Sequence, residues 1–540
     1  MPHSSTLRLF SEAPPSLKVD DAPWSSVYEA RTVMEMAGDL RSSKANALSA
    51  PFTEITPLRE PHVYAAISID PQNTSLKYVV MEPTLTEEEK NALKTIKGIL
   101  FQILDVDMRS LGSTDDAQKW LGNQIARIIK DYKINVEEGT VDKLKYYLIR
   151  DLISFGVIDP LMHDHMIEDI SCDGPKIPVY IWHRRYESIP TNLIFEDEDE
   201  LNSFVVRLAY LSGKHISIAN PMLDASLADG SRIQLTYGRE VTRKGSTFTV
   251  RRFRADPMTV VDLIDFNTMN YEIAAWFWFA IERKSNILLA GGTASGKTTT
   301  LNSLCAFIPT NSKIVTIEDT AELNLAHENW ISSIARIGFG SSETADITQF
   351  DLVKAAMRQR PDYLIVGEVR GDEAFTLFQA MATGHGGLSS IHADSPTSAF
   401  SRLESEPMNI PRTHLTILDT VAMIQRVRVG DRSTRRITSV VEVVELDPVS
   451  REVILNEVFR WDPGKDTFEY SGRSVLIDRI VKEFGLTKDY VSEELQRRKK
   501  VLEWTYLNKI RRFTDVGPII SDYYADPEGM TEKIRLRMTA

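Results

Sequence analysis

Residues Asn286 to Thr300 read NILLAGGTASGKTTT, and this stretch leaves few folds open. The apolar run Ile287-Leu288-Leu289-Ala290 enters a glycine-rich loop that ends in Gly-Lys-Thr. The loop satisfies G-x-x-x-x-G-K-[ST], with Gly291 first and then Gly296, Lys297 and Thr298. A buried strand that turns through glycines directly into a helix belongs to a parallel α/β sheet. Gly291, Gly292 and Gly296 let the backbone turn tightly and aim successive N–H groups at phosphate oxygens. Thr293, Ala294, Ser295 and Thr299 complete the expected cradle. The helix beginning near Lys297 adds the positive end of its dipole. Lys297 is placed for the β- and γ-phosphates, and the Thr298 hydroxyl for Mg²⁺. The expected ligand is a nucleoside triphosphate, ATP with Mg²⁺.

A chain of 540 residues has room for two or three domains with separate cores. Its 42% hydrophobic and 26% charged residues are those of an ordinary soluble protein. A net charge of −13 removes any global attraction to nucleic acid or anionic lipid. Cys172 and Cys305 stand far apart, which excludes a disulfide framework or cysteine zinc ribbon and suits a reducing cytoplasm. The N-terminus lacks a signal-peptide pattern, and the longest apolar run, Ile273 to Ile281, is too short to span a bilayer. A cytoplasmic chain is expected, touching the inner face of the membrane only peripherally, through partners.

Along the chain, residues 1–57 are Ser/Pro-punctuated, with one helix near Val27–Leu40. Residues 58–255 read as an α+β domain, helical first and strand-rich second. Thr86 with Glu89 forms a capping box ahead of the apolar stripe Leu93, Ile96, Leu100, Ile103 and Leu104. Asp229-Gly230 between Leu223–Leu227 and Arg232–Tyr237 marks a hairpin. A linker around Arg254–Met258 is the expected hinge. Residues 256–463 alternate helix and strand, as in a doubly wound sheet. Residues 464–540 are helical, with basic runs at Arg497–Lys500 and Lys509–Arg512 that are expected to be solvated faces.

Four further elements bear on chemistry. Ligands of an α/β sheet sit beyond the carboxyl ends of its strands. Glu318 and Asp319 follow the strand Ile314–Ile317 and so face the γ-phosphate and its metal, where a carboxylate can activate water. Tyr363-Leu364-Ile365-Val366 ends in Gly367-Glu368, a buried strand with an acid one position later than usual. Glu368 is a candidate for Mg²⁺, directly or through water, beside Thr298. The division of roles between Glu318 and Glu368 stays open. His385 and His392 flank the strand Leu388–Ile391 at a spacing that forbids a shared metal, and His392 is placed to sense the γ-phosphate. Arg232, Arg239, Arg243, Arg251 and Arg252 cluster in the preceding domain, with Arg336 and Arg370 later. Such guanidinium groups can spread over transition-state charge.

Together, GGTASGKTTTLN, TIEDTAELNL, RQRPDYLIVGEVRGDEA and TGHGGLSSIHADS resemble the P-loop, Asp box, atypical Walker B and His box of the type II/type IV secretion ATPases. DASLADGSRIQ and GSTFTVRRF resemble the arginine-bearing segments of that family's N-terminal domain. IDPLMHDHMIEDISCDGPKIPVYIWHR resembles its archaeal branch, which assembles archaella and type IV pili. The resemblance implies a RecA-like ATPase domain behind an α+β N-terminal domain, assembled as a cytoplasmic homo-hexamer with nucleotide between the two. It also implies docking on a polytopic membrane platform protein. In that picture Lys297 and Thr298 bind phosphate and metal, Glu318 and Glu368 divide water activation and metal work, and His392 senses the γ-phosphate. Arg232, Arg251 and Arg252 are the finger candidates.

The competing reading is a RecA-like nucleic-acid motor, a helicase or packaging ATPase. The acidic balance and the lack of a stretch interleaving basic and aromatic residues count against a nucleic-acid partner.

Overall fold

The computed structural model describes residues 52–69, 75–103, 114–134, 136, 138–253, 256–336, 346–430 and 432–539. The helix expected near Val27–Leu40, Leu104 of the apolar stripe, and Arg254 and Ala255 of the linker lie outside these residues. The chain divides into two compact units, the first ending at Arg252 and the second beginning at Phe253.

The first unit opens with three antiparallel strands, β1 (Phe52–Arg59), β2 (Val63–Ile69) and β3 (Leu76–Met81). Helices α1 (Glu87–Ile103), α2 (Thr114–Asp131) and α3 (Glu138–Leu152) follow, then the short α4 (Asp159–His163). The predicted capping box closes both ways: Thr86 N–H donates to Glu89 at 2.8 Å and Glu89 N–H to the Thr86 hydroxyl at 3.2 Å. Ile96 and Leu100 of the predicted stripe meet Leu121, Ile125, Leu144 and Leu148 in a core belonging to these three helices. The strand-rich half adds β4 (Ile167–Cys172), β5 (Pro178–His183), β6 (Glu187–Ile194), α5 (Glu198–Leu211), β7 (Met222–Ser226), β8 (Arg232–Thr236) and β9 (Thr247–Arg251). All nine strands form one sheet, ordered β1-β2-β3-β6-β5-β4-β9-β8-β7. β7 and β8 pair across the predicted Asp229-Gly230 turn, where Gly230 takes φ +86° and Asp229 accepts from Ser231 N–H at 3.0 Å.

The second unit contains α6 (Val260–Asp265), α7 (Tyr271–Glu282), β10 (Ile287–Gly291), α8 (Lys297–Cys305), β11 (Ile314–Glu318) and β12 (Trp330–Ile334). Then come α9 (Gln349–Gln359), β13 (Tyr363–Val366), α10 (Glu373–Ala382), β14 (Gly386–His392) and α11 (Pro396–Glu404). Strands β15 (Thr420–Val429), β16 (Arg432–Leu446), β17 (Val453–Asp462) and β18 (Thr467–Tyr470) precede helices α12 (Val475–Phe484), α13 (Lys488–Leu507), α14 (Phe513–Ala525) and α15 (Pro527–Thr539). The sheet order is β12-β11-β13-β14-β10-β15-β16-β17-β18. Strands β12 to β15 run parallel, and β16 to β18 add an antiparallel wing. Alternation along β10 sends Ile287 and Leu289 into a core with α7 and the C-terminal helices. Leu288 and Ala290 enter a second core on the other face with α10 and α11. Helices on both faces of a largely parallel sheet make this unit the doubly wound α/β fold that the P-loop stretch demanded, in keeping with the RecA-like domain the resemblance implied.

The apolar run from Ile273 to Ile281 is the buried middle of α7. A helix of this length is a core element rather than a membrane span. No helix among the described residues is long and apolar enough to cross a membrane. Both cysteines are free and buried.

Sequence reading missed β1, β12, α9, α11 and the wing strands β17 and β18. α9 did carry a signal, the reciprocal capping box Thr348–Asp351. β12, WISSI, is a half-exposed edge strand with too little apolar alternation to read. The basic run Arg497–Lys500 is not a solvated face as expected. The Arg498 side chain is buried, pairs with Glu282 on α7 and with Glu494 at 3.0 Å, and lies over Trp278, Phe279 and Tyr523. Lys499 reaches Glu272 at 2.9 Å, and Arg511 reaches Asp265 at 2.7 Å. Trp278 donates to the Tyr524 hydroxyl at 2.9 Å, and that hydroxyl donates to the Phe307 carbonyl at 2.6 Å. The C-terminal helices are therefore clamped onto α7. A buried ion pair that loses one partner leaves an uncompensated charge. Arg498→Ala is expected to destabilise the second unit by about 3–5 kcal/mol, read as a lower urea midpoint, and Arg498→Lys to recover only part of the loss because a lysine lacks the planar fork.

Candidate functional site

The P-loop is built by close approach. Gly291 ends β10 so near β15 that a Cβ there would overlap the carbonyl oxygen of Ile424 and come within 2.6 Å of the Ser295 hydroxyl. Only glycine fits. Ala294 and Gly296 take φ +57° and +95°, and the chain enters α8 at Lys297. The Lys297 ammonium donates to the carbonyls of Gly291 and Gly292 at 3.1 and 3.0 Å. Burial holds its pKa below the ordinary lysine value, and the negative charge of Glu368 pulls the other way. The Ser295 hydroxyl is buried with no hydrogen-bond partner. Thr298 and Thr299 stand half-buried in the first turn of α8. Positive φ, a glycine that tolerates no side chain and an unsatisfied hydroxyl in the loop fit a phosphate-binding nest.

Sheet order then sets the neighbours. β14 lies between β10 and β13, and β11 lies beyond β13. The parallel register pairs Gly291 with His392, Ser389 with Val366, and Val366 with Ile317. The carboxyl ends consequently present the P-loop, His392, Glu368 and Glu318 in a row.

Glu318 is 3% exposed. Its Oε1 accepts the N–H groups of Glu322 and Leu323, each at 3.0 Å, while Oε2 is buried without a partner. Burial outweighs those two donors and pushes its pKa up to about 7. Gly367 makes room for it: a Cβ there would stand 3.1 Å from the Glu318 Cγ. The glycine that displaces the acid from its usual place is thus what lets the two strand ends approach.

Glu368 accepts from Arg370 at 2.6 Å, and Arg370 also reaches Asp319 at 3.7 Å, tying the ends of β11 and β13 together. The other Glu368 oxygen is buried, without a hydrogen bond, and lies 3.4 Å from His392 Nε2. Burial, and then the charge of Lys297, lower the His392 pKa, so its ring is neutral near pH 7 and acts as a hydrogen-bonding group rather than a cation. Arg402 of α11 donates to the His392 carbonyl at 2.7 Å and fixes its backbone. His385 is structural: its Nδ1 lies 3.0 Å from the Ala380 carbonyl at the end of α10.

The arginines of the first unit separate. Arg232 and Arg251 are direct cross-strand neighbours on β8 and β9, and Arg251 also faces Asp169 on β4. They line a cavity of about 410 Å³ with Tyr180, Trp182 and Gln234. Arg252, grouped with them as a finger candidate, has another task. Its guanidinium donates to the backbone carbonyls of Met162, Asp164 and Ile167, bracing α4 and the start of β4. Arg239 pairs with Glu198 at 2.6 Å.

Sequence reading also missed Arg435, whose Nε donates to the Ala294 carbonyl at 3.0 Å. No spacing rule reveals it, because β16 reaches the loop only through the sheet order.

A carboxyl that must be ionised to accept a proton becomes competent as pH rises through its pKa. If Glu318 is that group, kcat rises between about pH 6 and about pH 8 with a midpoint near 7. Glu318→Gln is expected to remove the pH dependence and about 10²–10⁴-fold of kcat. A pH-independent wild-type kcat would assign proton transfer elsewhere. Gly367→Ala presses on Glu318 without touching the P-loop, so it is expected to lower kcat by about tenfold or more with ADP affinity retained, read by stopped-flow hydrolysis and calorimetry.

The family model described as type II/IV secretion system protein matches residues 152–478, more than half of the chain. The uncharacterized protein MJ0900 of Methanocaldococcus jannaschii is 35% identical over 473 residues, covering 84% of this chain and 85% of that one. The conjugal transfer protein TrbB of Rhizobium radiobacter is 40% identical over 164 residues, 30% of this chain and 48% of its own length. The X-ray structure of the Yersinia pseudotuberculosis ATPase DotB aligns with 68% of this chain and 92% of its own at 15% identity. Its TM-score of 0.41 is too loose to bear on function. The matched span contains the whole row from Lys297 to Glu318, and the chain belongs to the type II/IV secretion system protein family.

Proposed function

We propose that the chain is a Mg²⁺-dependent ATPase motor that powers assembly, or rotation, of an archaellum-like or type IV pilus-like filament, or secretion by a related machine. In this reading it works as a homo-hexameric ring in the cytoplasm, docked on a polytopic membrane platform protein at the inner face of the membrane. The observation that carries the reading is the row of Lys297, His392, Glu368 and Glu318 along the carboxyl ends of β10, β14, β13 and β11. The type II/IV secretion system family match and the shorter match to a conjugal transfer protein support a filament or secretion machine.

The loop N–H groups and Lys297 hold the β- and γ-phosphates. The Thr298 hydroxyl and Glu368 would hold Mg²⁺, and the buried, unsatisfied Glu368 oxygen fits that role. When bound, Mg²⁺ supplies neutralisation of phosphate charge. Among the described residues no cluster of three or more His, Cys, Asp or Glu side chains forms a cation site, in keeping with an ion that takes most of its ligands from water and phosphate. Glu318, with one oxygen anchored and the other free, accepts a proton from water as that water bonds to the γ-phosphorus and the β–γ bridging bond breaks. His392, neutral beside Glu368, senses whether the γ-phosphate is present. Arg232 and Arg251 are assigned to transition-state charge, with Arg252 retained as the brace beneath them.

The test is Mg-ATP hydrolysis against protein concentration, with Lys297→Ala as control and single-stranded DNA as additive. A rate per subunit that rises steeply with concentration, ignores DNA and vanishes in Lys297→Ala is expected of a ring-dependent motor. A rate stimulated by DNA or independent of concentration would count against it.

A further inference from the structure

Arg435 lies against the nucleotide loop from the flank opposite the catalytic row. β10 is bordered by β14 on one side and by β15 on the other. His392 and Glu368 occupy the β14 flank. On the other, β15 runs parallel to β10, with Ala290 paired to Met423, and then continues past the end of β10 through Gln425 to Val429. β16 returns antiparallel, placing Arg435 directly across from Arg426. From there the Arg435 Cδ comes within 3.1 Å of where a Cβ on Gly296 would stand, and its Nε is anchored on the Ala294 carbonyl. The anchored side chain is otherwise exposed and carries donors on both terminal nitrogens. Arg426, Arg428 and Arg432 add positive potential to the same hairpin.

A polyphosphate threaded through this loop has two ends. Its terminal phosphate belongs with Lys297, Glu368 and His392, so its nucleoside end leaves on the β15–β16 flank. We propose that Arg435 is a further nucleotide-binding residue, whose guanidinium engages the α-phosphate end of a bound nucleoside di- or triphosphate. Its Nε bond to Ala294 presets the fork, so that little side-chain entropy is lost on binding. Because it sits away from the γ-phosphate, its contribution is the same for ATP and ADP. It therefore sets nucleotide affinity and product retention rather than the chemical step. The inference rests on the P-loop as the nucleotide site.

The experiment measures the dissociation constant of ADP, and KM and kcat for ATP, on the full chain carrying Arg435→Ala, Arg435→Gln or Arg435→Lys, with Lys297→Ala beside them. A charge-assisted contact at an exposed position predicts ADP affinity weakened about five- to tenfold in Arg435→Ala and Arg435→Gln. Arg435→Lys, which keeps the charge but neither the fork nor the anchor, should recover only part of it, and KM should rise by more than kcat falls. Glutamine can still donate to the Ala294 carbonyl, so wild-type ADP affinity in Arg435→Gln would reduce Arg435 to a loop brace and overturn the proposal. Unchanged affinity in all three variants would overturn it too. Undiminished ADP binding in Lys297→Ala would show instead that the P-loop reading itself had failed.

Discussion

The backbone of Gly291 passes so close to Ile424 that no side chain can stand between them, and the rest of the second unit depends on that contact. It locks the end of β10 against β15 and fixes where the P-loop begins. The same strand pairs with β14 on its other side, so Gly291 faces His392 in register. A side chain at Gly291 would push apart the strands whose ends form the site. In a close-packed sheet, strain at one strand end is passed to its neighbours.

From that fixed point the candidate site residues follow at strand spacing. His392 comes one strand away from the loop, Glu368 two and Glu318 three. Each reaches the row by a different device. Register carries His392, while Arg370 holds Glu368 and joins it to Asp319. Glu318 is seated by two backbone N–H groups and admitted by the missing side chain of Gly367. Their environments push the groups apart in character. Burial makes Glu318 a carboxyl that titrates near neutrality, whereas Glu368 is paired with Arg370 at 2.6 Å. The two residues are of one type, so the difference lies in what surrounds them.

Stability and site share the same scaffold. α7 is buried along most of its length, and the C-terminal helices clamp it through Arg498, Tyr524 and Lys499. The helix that precedes β10 is thereby held on the face away from α10 and α11. A basic run that reads as surface charge has become an internal brace. The reason is that Glu282 and Glu494 supply opposite charges inside an aromatic cage, where an arginine can be buried and still paired.

Local pattern and fixed spacing made part of this fold legible in the sequence alone. The strand–loop–helix around Gly291 and Lys297, the Thr86–Glu89 capping box and the Asp229-Gly230 hairpin are local, so a few neighbouring residues specify them. The apolar strands ending in Glu318 and Glu368 were equally legible, since a run of buried residues followed by an acid needs no distant partner to be noticed. Which side chains meet depends instead on the folded arrangement. Strand order brought Arg435 to Ala294 across 141 positions of sequence and left His385 capping α10. It turned Arg252 towards backbone carbonyls and Arg498 into the core. The physical reason is that a side chain's partner is set by sheet order and helix packing. These bring together residues far apart in the chain, whereas local propensity senses only the nearest turn.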